Sequence, residues 1–241
     1  FIPTIEIIEQ LRAENWYPVT VNEAGVRDLS KDGFQQHYVR FQHFSDLINP
    51  TSNVVELLLF NSHDRSKSFT ISAGIYRYVC SNGLVIADSV FDSYKIKHLG
   101  DKENDVIDAV NKITQVKPKL LSKISKFESI NLNQNEKEAF LQSAIPLRFN
   151  EHLELDNPNE LLTPLRIEDE KDDLYTVLNI LQENFLSSKV SGYNKETNRR
   201  FTSKQITSIS KDVEINKGLW DIAERIASIK NDSYESPLIA A

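Results

Sequence analysis

The stretch YRYVCSNGLVIADS, residues 76–89, holds the one cysteine of the chain, Cys80, just ahead of an Asn-Gly pair. A thiolate nucleophile needs a neighbouring base or a positive field that lowers its pKa. None of the five histidines lies in a motif that places it beside Cys80. A lone cysteine in a strand-like run is therefore expected to be a small buried side chain. His63-Asp64 has the form of the pair in metal-dependent phosphohydrolases but lacks the further His and Asp at helical positions, and reads as a polar turn. His37 and His43 share a strand face, yet six residues of strand span roughly 20 Å, too far for one metal. With no P-loop, GxGxxG or CxxC in the chain, neither a nucleotide motor nor a zinc fold is supported. The expectation is a protein that is not an enzyme, with no catalytic residue, no metal site and no cofactor.

What remains is charge and aromatic surface. Residues 112–126 carry Lys112, Lys117, Lys119, Lys123 and Lys126 with no acid among them, and residues 189–204 carry Lys189, Lys195, Arg199, Arg200 and Lys204 against Glu196 alone. Lysines at such spacing could track a phosphate backbone, while Tyr38, Tyr76, Tyr78 and Tyr94 on adjacent strands could stack on bases. The plainer alternative is a solvated helix face above core aromatics.

The bulk numbers limit this reading. A net charge of -7 opposes gross affinity for nucleic acid, because that affinity rests on Lys and Arg displacing phosphate counterions. The acidity is unevenly placed: residues 1–150 hold 17 Lys and Arg against 18 Asp and Glu, residues 151–241 hold 11 against 17. No apolar run approaches the roughly 20 residues that cross a bilayer, and FIPTIEIIEQL lacks the basic start and small-residue cleavage site of a signal peptide. A single Cys suits a reducing cytoplasm, which sets the expected location. The absence of Met implies that the initiator lies outside this stretch, as in a piece of a longer chain.

The elements that must position these residues follow from periodicity. Thr4 opens a short helix with Ile5, Ile8 and Leu11 recurring, ending near Asn15. Strands are expected at about 19–28, 37–44, 54–60, 68–80 and 84–98, with a turn at 30–33, a polar loop at 45–53 and a tight hairpin at Asn82-Gly83. Residues 103–128 change period: Val106, Val110, Ile113, Leu120, Ile124 and Phe127 mark one amphipathic helix, or two jointed at Pro118. Lys112, Lys119, Lys123 and Lys126 share the neighbouring stripe. Helices at 136–144, 174–185 and 213–229 follow, separated by an acidic loop-like stretch over 150–173 and a basic polar loop over 187–204. The expected class is α+β, an antiparallel sheet of hairpins packed on a long amphipathic helix. Residues 1–150 form the core domain, and 151–241 an acidic linker with a mostly helical C-terminal region.

VRFQ (39–42), GIYRYVCSNGLVIADS (74–89), KIKH (95–98), LQENF (181–185) and DVEINKGLWDIAE (212–224) together resemble phage- and plasmid-borne proteins grouped under a domain of unknown function. That resemblance covers nearly the whole chain and implies a mobile-element context. The order of elements, an N-terminal helix, antiparallel strands and then a long basic helix, is also similar to single-strand annealing proteins of the Redβ, Erf and eukaryotic recombination-mediator type. Such proteins form rings or filaments that hold one DNA strand in a positive groove. The resemblance implies an ATP-independent DNA-binding and annealing protein of recombination, homo-oligomeric and acting on single-stranded DNA. Arg40, Arg77, Lys95, Lys97, Lys112, Lys119, Lys123 and Lys126 are the candidate phosphate contacts, with Arg199 and Arg200 in the tail. A second expectation, of another class, is a mobile-element factor that meets a basic host or phage protein through its acidic 151–173 surface, for example to block a host defence system.

Overall fold

A computed structural model describes residues 4–23, 35–62, 69–77, 83–85, 94–95 and 102–235. Cys80, His63, Asp64, Tyr78 and Lys97 lie outside the described residues, as do the expected turn at 30–33 and the strand ends at 24–28 and 96–98. The chain divides into two compact units, Phe1–Leu121 and Ser122–Ala241. The fold is α+β, with antiparallel sheets and a helical C-terminal region, as the periodicities predict.

In the first unit, helix α1 (Thr4–Ala13) buries Ile7 and Leu11, spaced one turn apart, while Ile5 points outward. Asn15 then takes a positive φ of 63°, a conformation that asparagine tolerates better than most residues, and the chain turns into strand β1 (Trp16–Glu23). Strand β2 (Gln36–His43) runs straight into helix α2 (Phe44–Ile48), where the sequence reads only a polar loop. The signal for α2 is local: the His43 side chain accepts from the Ser45 backbone N–H and caps the turn. Strands β3 (Asn53–Ser62), β4 (Thr70–Arg77), β5 (Gly83–Val85) and β6 (Tyr94–Lys95) complete the sheet.

Strand order is β1-β2-β3-β4-β5, with β5 and β6 both paired to β4, and every pairing is antiparallel. Strand β3, NVVELLLFNS, is buried along nearly its whole length, so both its faces are covered, as expected for a near-continuous apolar run at the centre of a sheet. Among the described residues the outer strand is β1, where a register shift between Pro18 and Thr20 leaves Val19 as a bulge. Proline and a bulge both blunt an edge against pairing with another chain. At the other side the Asn-Gly expectation needs correction. Tyr76 pairs with Gly83 and Ile75 with Leu84, whereas a two-residue turn centred on Asn82-Gly83 would pair Ser81 with Leu84. Gly83 is a strand residue and the connection is longer.

Helix α3 (Lys102–Glu128) is unbroken, with Pro118 inside it, and the boundary between the units falls within its length. Proline removes one hydrogen bond, to the carbonyl four residues earlier, and here 27 residues of helix with a fully buried stripe outweigh that loss. Val106, Val110, Ile113, Leu120, Ile124 and Phe127 are all buried, as the seven-residue repeat predicts.

In the second unit, helix α4 (Gln134–Ala144) starts at a capping box between Asn133 and Glu136. Strand β7 (Leu153–Leu155) and two short 3-10 turns, Pro158–Leu162 and Ile167–Asp169, occupy the stretch expected to be a loop. Helix α5 (Leu174–Ser187) buries 12 of its 14 residues, which makes it the centre of the unit, since a helix apolar all round must be enclosed. Helix α6 (Ile209–Glu235) packs on α5 and α4. The basic loop over 187–204 is a hairpin, β8 (Ser191–Asn194) and β9 (Arg199–Thr202), and β7 extends it to three strands. Its turn is written in asparagine: the Asn194 carboxamide oxygen accepts from the backbone N–H groups of Glu196 and Thr197, and Asn198 supplies a φ of 52°. Gly192 is needed because a Cβ there would fall 2.2 Å from the Glu154 carbonyl oxygen, with the Phe201 ring closing the other side.

Candidate nucleic-acid interface

Along α3, Lys112, Lys119 and Lys126 recur every seven residues and all three are exposed. Three of the four acids of this helix, Glu103, Asp105 and Asp108, lie in its first turns, Glu128 ends it, and the five lysines after Lys102 fall between residues 112 and 126. The helix dipole favours that polarity, but its influence fades within the last turn. It bears on Lys126 and does not reach as far as Lys112 and Lys119. Two other lysines of α3 are engaged. Lys117 binds both carboxylate oxygens of Asp46 on α2, at 2.7 and 2.6 Å, and Lys123 is ion-paired to Glu224 of α6.

Arg40 stands elsewhere. Its Nε and one terminal nitrogen donate to the two carboxylate oxygens of Glu56 at 2.6 and 2.9 Å, and Gln42 donates to the same carboxylate at 2.6 Å. Glu56 is fully buried on β3 while the Arg40 side chain keeps 15% exposure. This bidentate fork neutralises a carboxylate that could not otherwise sit inside a sheet. Arg77 ends β4 opposite Asn53, and Lys95 pairs with Thr70 at the far end of the same strand. Tyr38 lies against Phe60, with ring centroids 5.5 Å apart, and its hydroxyl accepts from Asn22. The sheet therefore uses Arg40 and Tyr38 in its own packing.

In the second unit, Arg199 and Arg200 are both exposed on β9, with Arg200 ion-paired to Asp156 and Lys195 to Glu154 at 3.2 Å. The basic loop and the acidic stretch, read separately in the sequence, meet across the β7–β8–β9 sheet through these two exposed pairs.

Several polar groups that the sequence did not single out are central to the second unit. The Arg148 guanidinium donates to the backbone oxygens of Phe185, Ser188 and Lys204 at 2.6, 3.2 and 2.8 Å, gathering the end of α5 and the strand exit into one knot. Burial pulls its pKa below the usual arginine value. Asp212 accepts from Asn216, whose carboxamide oxygen accepts from Gln182 at 3.0 Å, and burial pushes the Asp212 carboxyl up to about 6. Arg166 is forked onto Glu183, with Asp169 at 3.5 Å. The two strand-face histidines serve local bonds: His37 Nε2 lies 3.0 Å from the Thr4 hydroxyl and His43 Nδ1 lies 2.8 Å from that of Ser45. Among the described residues no helix is long and apolar enough to cross a membrane.

Comparison with known proteins gives relatives of this chain. A family profile described as a domain of unknown function, DUF932, matches residues 1–220. The chain is 30% identical over 226 residues to UPF0380 protein YafZ of Escherichia coli strain K12, covering 94% of this chain and 81% of that protein. UPF0380 protein YfjQ of the same strain matches with the same identity and coverage. No solved structure matches.

Proposed function

We propose that this chain, which belongs to the DUF932 family, is a phage- or plasmid-borne protein that binds and anneals single-stranded DNA without ATP. The observation that carries this reading is the exposed series Lys112, Lys119 and Lys126 on one unbroken helix. Seven residues of helix advance about 10.5 Å, so the three ammonium groups are spaced to meet phosphates several nucleotides apart rather than one phosphate together. Arg77, Lys95, Arg199 and Arg200 are secondary candidates, and Arg40 contributes through the structure it holds. The acidic whole opposes tight capture by one subunit, so binding needs several copies on one strand, which multiplies weak contacts into avidity. The element order of the first unit supports the annealing reading by analogy with Redβ- and Erf-type proteins, and the chemistry requires no cofactor.

The test is fluorescence anisotropy of labelled single-stranded DNA at low and raised salt. Binding is expected to weaken steeply with salt and to be lost in Lys119→Glu combined with Lys126→Glu, two exposed positions, with an unchanged melting temperature. Absence of binding at micromolar protein and low salt would sink the proposal. A second reading, a mobile-element factor that meets a basic protein partner, is favoured by one feature only. Leu165 and Ile167 are exposed apolar side chains in an acidic surround.

A further inference from the structure

The most exposed large apolar side chain among the described residues is Ile167, at 82%, and Leu165, two residues before it, is 57% exposed. Their exposure is enforced. Arg166, between them, has extended backbone dihedrals of -139° and 153°, so its neighbours project opposite to it, and its guanidinium is fixed inward on Glu183 of α5. The strap before it is held by Asn184, whose carboxamide donates to the Leu161 and Thr163 carbonyls at 3.1 and 2.9 Å. Asp173, which caps α5, secures the strap after it. A rigid pair of aliphatic side chains held in water, with Glu168 and Glu170 exposed beside them, has the form of a docking knob.

The same unit carries a matching groove. Helices α4 and α6 enclose about 350 Å³ lined by Ala139, Phe140, Ile226 and Ile229, with the Glu136–Lys230 pair at its rim. Lys230 and the Asn133 backbone N–H hold the Glu136 carboxyl below its usual range, so the rim pair stays ionised and locally neutral. Ile229 is 69% exposed. One helical turn before it stands exposed Arg225, opposite in sign to Glu168 and Glu170, with Asp221 on the same face, opposite in sign to the Lys171 that follows them. Knob and groove are on neighbouring elements of one unit, because Lys137 of α4, next to Glu136, is ion-paired to Asp172 of the strap. Two complementary features on one neighbourhood of the surface are what a self-complementary two-fold contact requires, each copy giving its knob and receiving the other's.

We infer that Leu165 and Ile167 of one copy seat in the α4–α6 groove of a second copy, with Glu168 and Glu170 facing Arg225 across the contact. This deepens the multimer part of the proposed function and names its surface. It does not require that DNA bind.

Sedimentation velocity of the full chain without DNA, from about 1 to about 100 micromolar, tests it. The chain is expected to associate in that range. Ile167→Asp and Ala139→Trp, which fills the groove, should each raise the dissociation constant at least tenfold with an unchanged melting temperature. Arg225→Glu should weaken association in the same way, and combining it with Glu168→Arg and Glu170→Arg should restore it. A monomer throughout the range, or association indifferent to Ile167→Asp, overturns the inference. So does indifference to Ala139→Trp, and so does failure of the charge exchange to rescue. A chain that associates as described but binds no DNA leaves the inference standing and removes the annealing reading. One that binds DNA with association untouched by these substitutions does the reverse.

Discussion

Each unit engages an arginine inside its structure, and the two arginines do different work. Arg40 of the sheet unit meets a carboxylate, Glu56, enclosed within β3. Arg148 of the helical unit meets mainly backbone carbonyl oxygens at the end of α5. In the first case the partner left behind would be a buried charge; in the second it would be a set of neutral acceptors at a partly open helix end. The sheet unit is therefore expected to be brittle toward loss of one side chain and tolerant of loss of the pair, whereas the helical unit should respond mildly and through one region.

Arg40→Met breaks the comparison at its most sensitive point. Stranding a buried carboxylate costs about 3–5 kcal/mol, and replacing both partners with apolar residues recovers much of that. Chemical denaturation should show Arg40→Met severely destabilised and Arg40→Met with Glu56→Leu near the parent. A double variant no more stable than the single one would show that Glu56 is not the reason Arg40 is needed.

The next effect lies in the helical unit and depends on pH. The Asp212 carboxyl is raised from 3.8 to about 6 by burial, against a hydrogen bond from Asn216 that lowers it. A folded-state pKa above the unfolded value means that the native state holds the proton longer. The stabilising contribution is complete below about pH 4 and is lost as pH rises through 6. A shift of two units corresponds to about 3 kcal/mol at most. Asp212→Asn keeps the neutral shape, so its melting temperature should match the parent near pH 4 and exceed it at pH 8. Equal pH profiles for the two proteins would mean that Asp212 is hydrated in solution.

Arg148→Met should follow, with a loss of roughly 1–3 kcal/mol from unsatisfied but neutral acceptors. Hydrogen exchange should quicken most in residues 184–188 and 203–204, whose oxygens Arg148 gathers. Uniform acceleration across the unit would place Arg148 in the core of its stability and erase the contrast with Arg40.

How much of this was legible in the sequence depended on the range of the signal. The buried stripe of α3 was readable to the residue, because a seven-residue repeat is local and Pro118 alone cannot outweigh it. Strands β2, β3 and β4 were readable from alternation and apolar runs. The β7–β8–β9 sheet was not. Strand β7 has three residues and its partner begins 36 residues later, so neither period nor turn chemistry reveals the pairing of Leu155 with Gly192. The same blindness affected charge. The engagement of Arg40 by buried Glu56 and of exposed Arg200 by Asp156 was unreadable in the sequence because those acids are distant in the chain. The lysines of α3 were the better candidates because a helix fixes their mutual spacing, whatever the rest of the chain does. Which of them is engaged, as Lys123 is by Glu224, is again a long-range fact.

That last distinction gives the smallest and most discriminating prediction. Lys123 and Lys126 are three residues apart on α3; one is half-buried against Glu224 and the other is exposed. Changing Lys126 to Ala should alter stability by less than about 0.5 kcal/mol. If Lys126 meets a phosphate, the slope of log affinity against log salt should become shallower by about 0.7 for single-stranded DNA. Lys123→Ala should do the opposite, weakening the fold by up to about 1 kcal/mol through its half-buried pair while leaving the salt slope alone, because an ammonium already matched by a carboxylate releases no counterion on binding. If the slopes change equally, Lys123 exchanges Glu224 for phosphate, and the pair is a switch rather than a strut. If neither changes, the exposed stripe is a solvated face and the positive charge of α3 serves the helix alone.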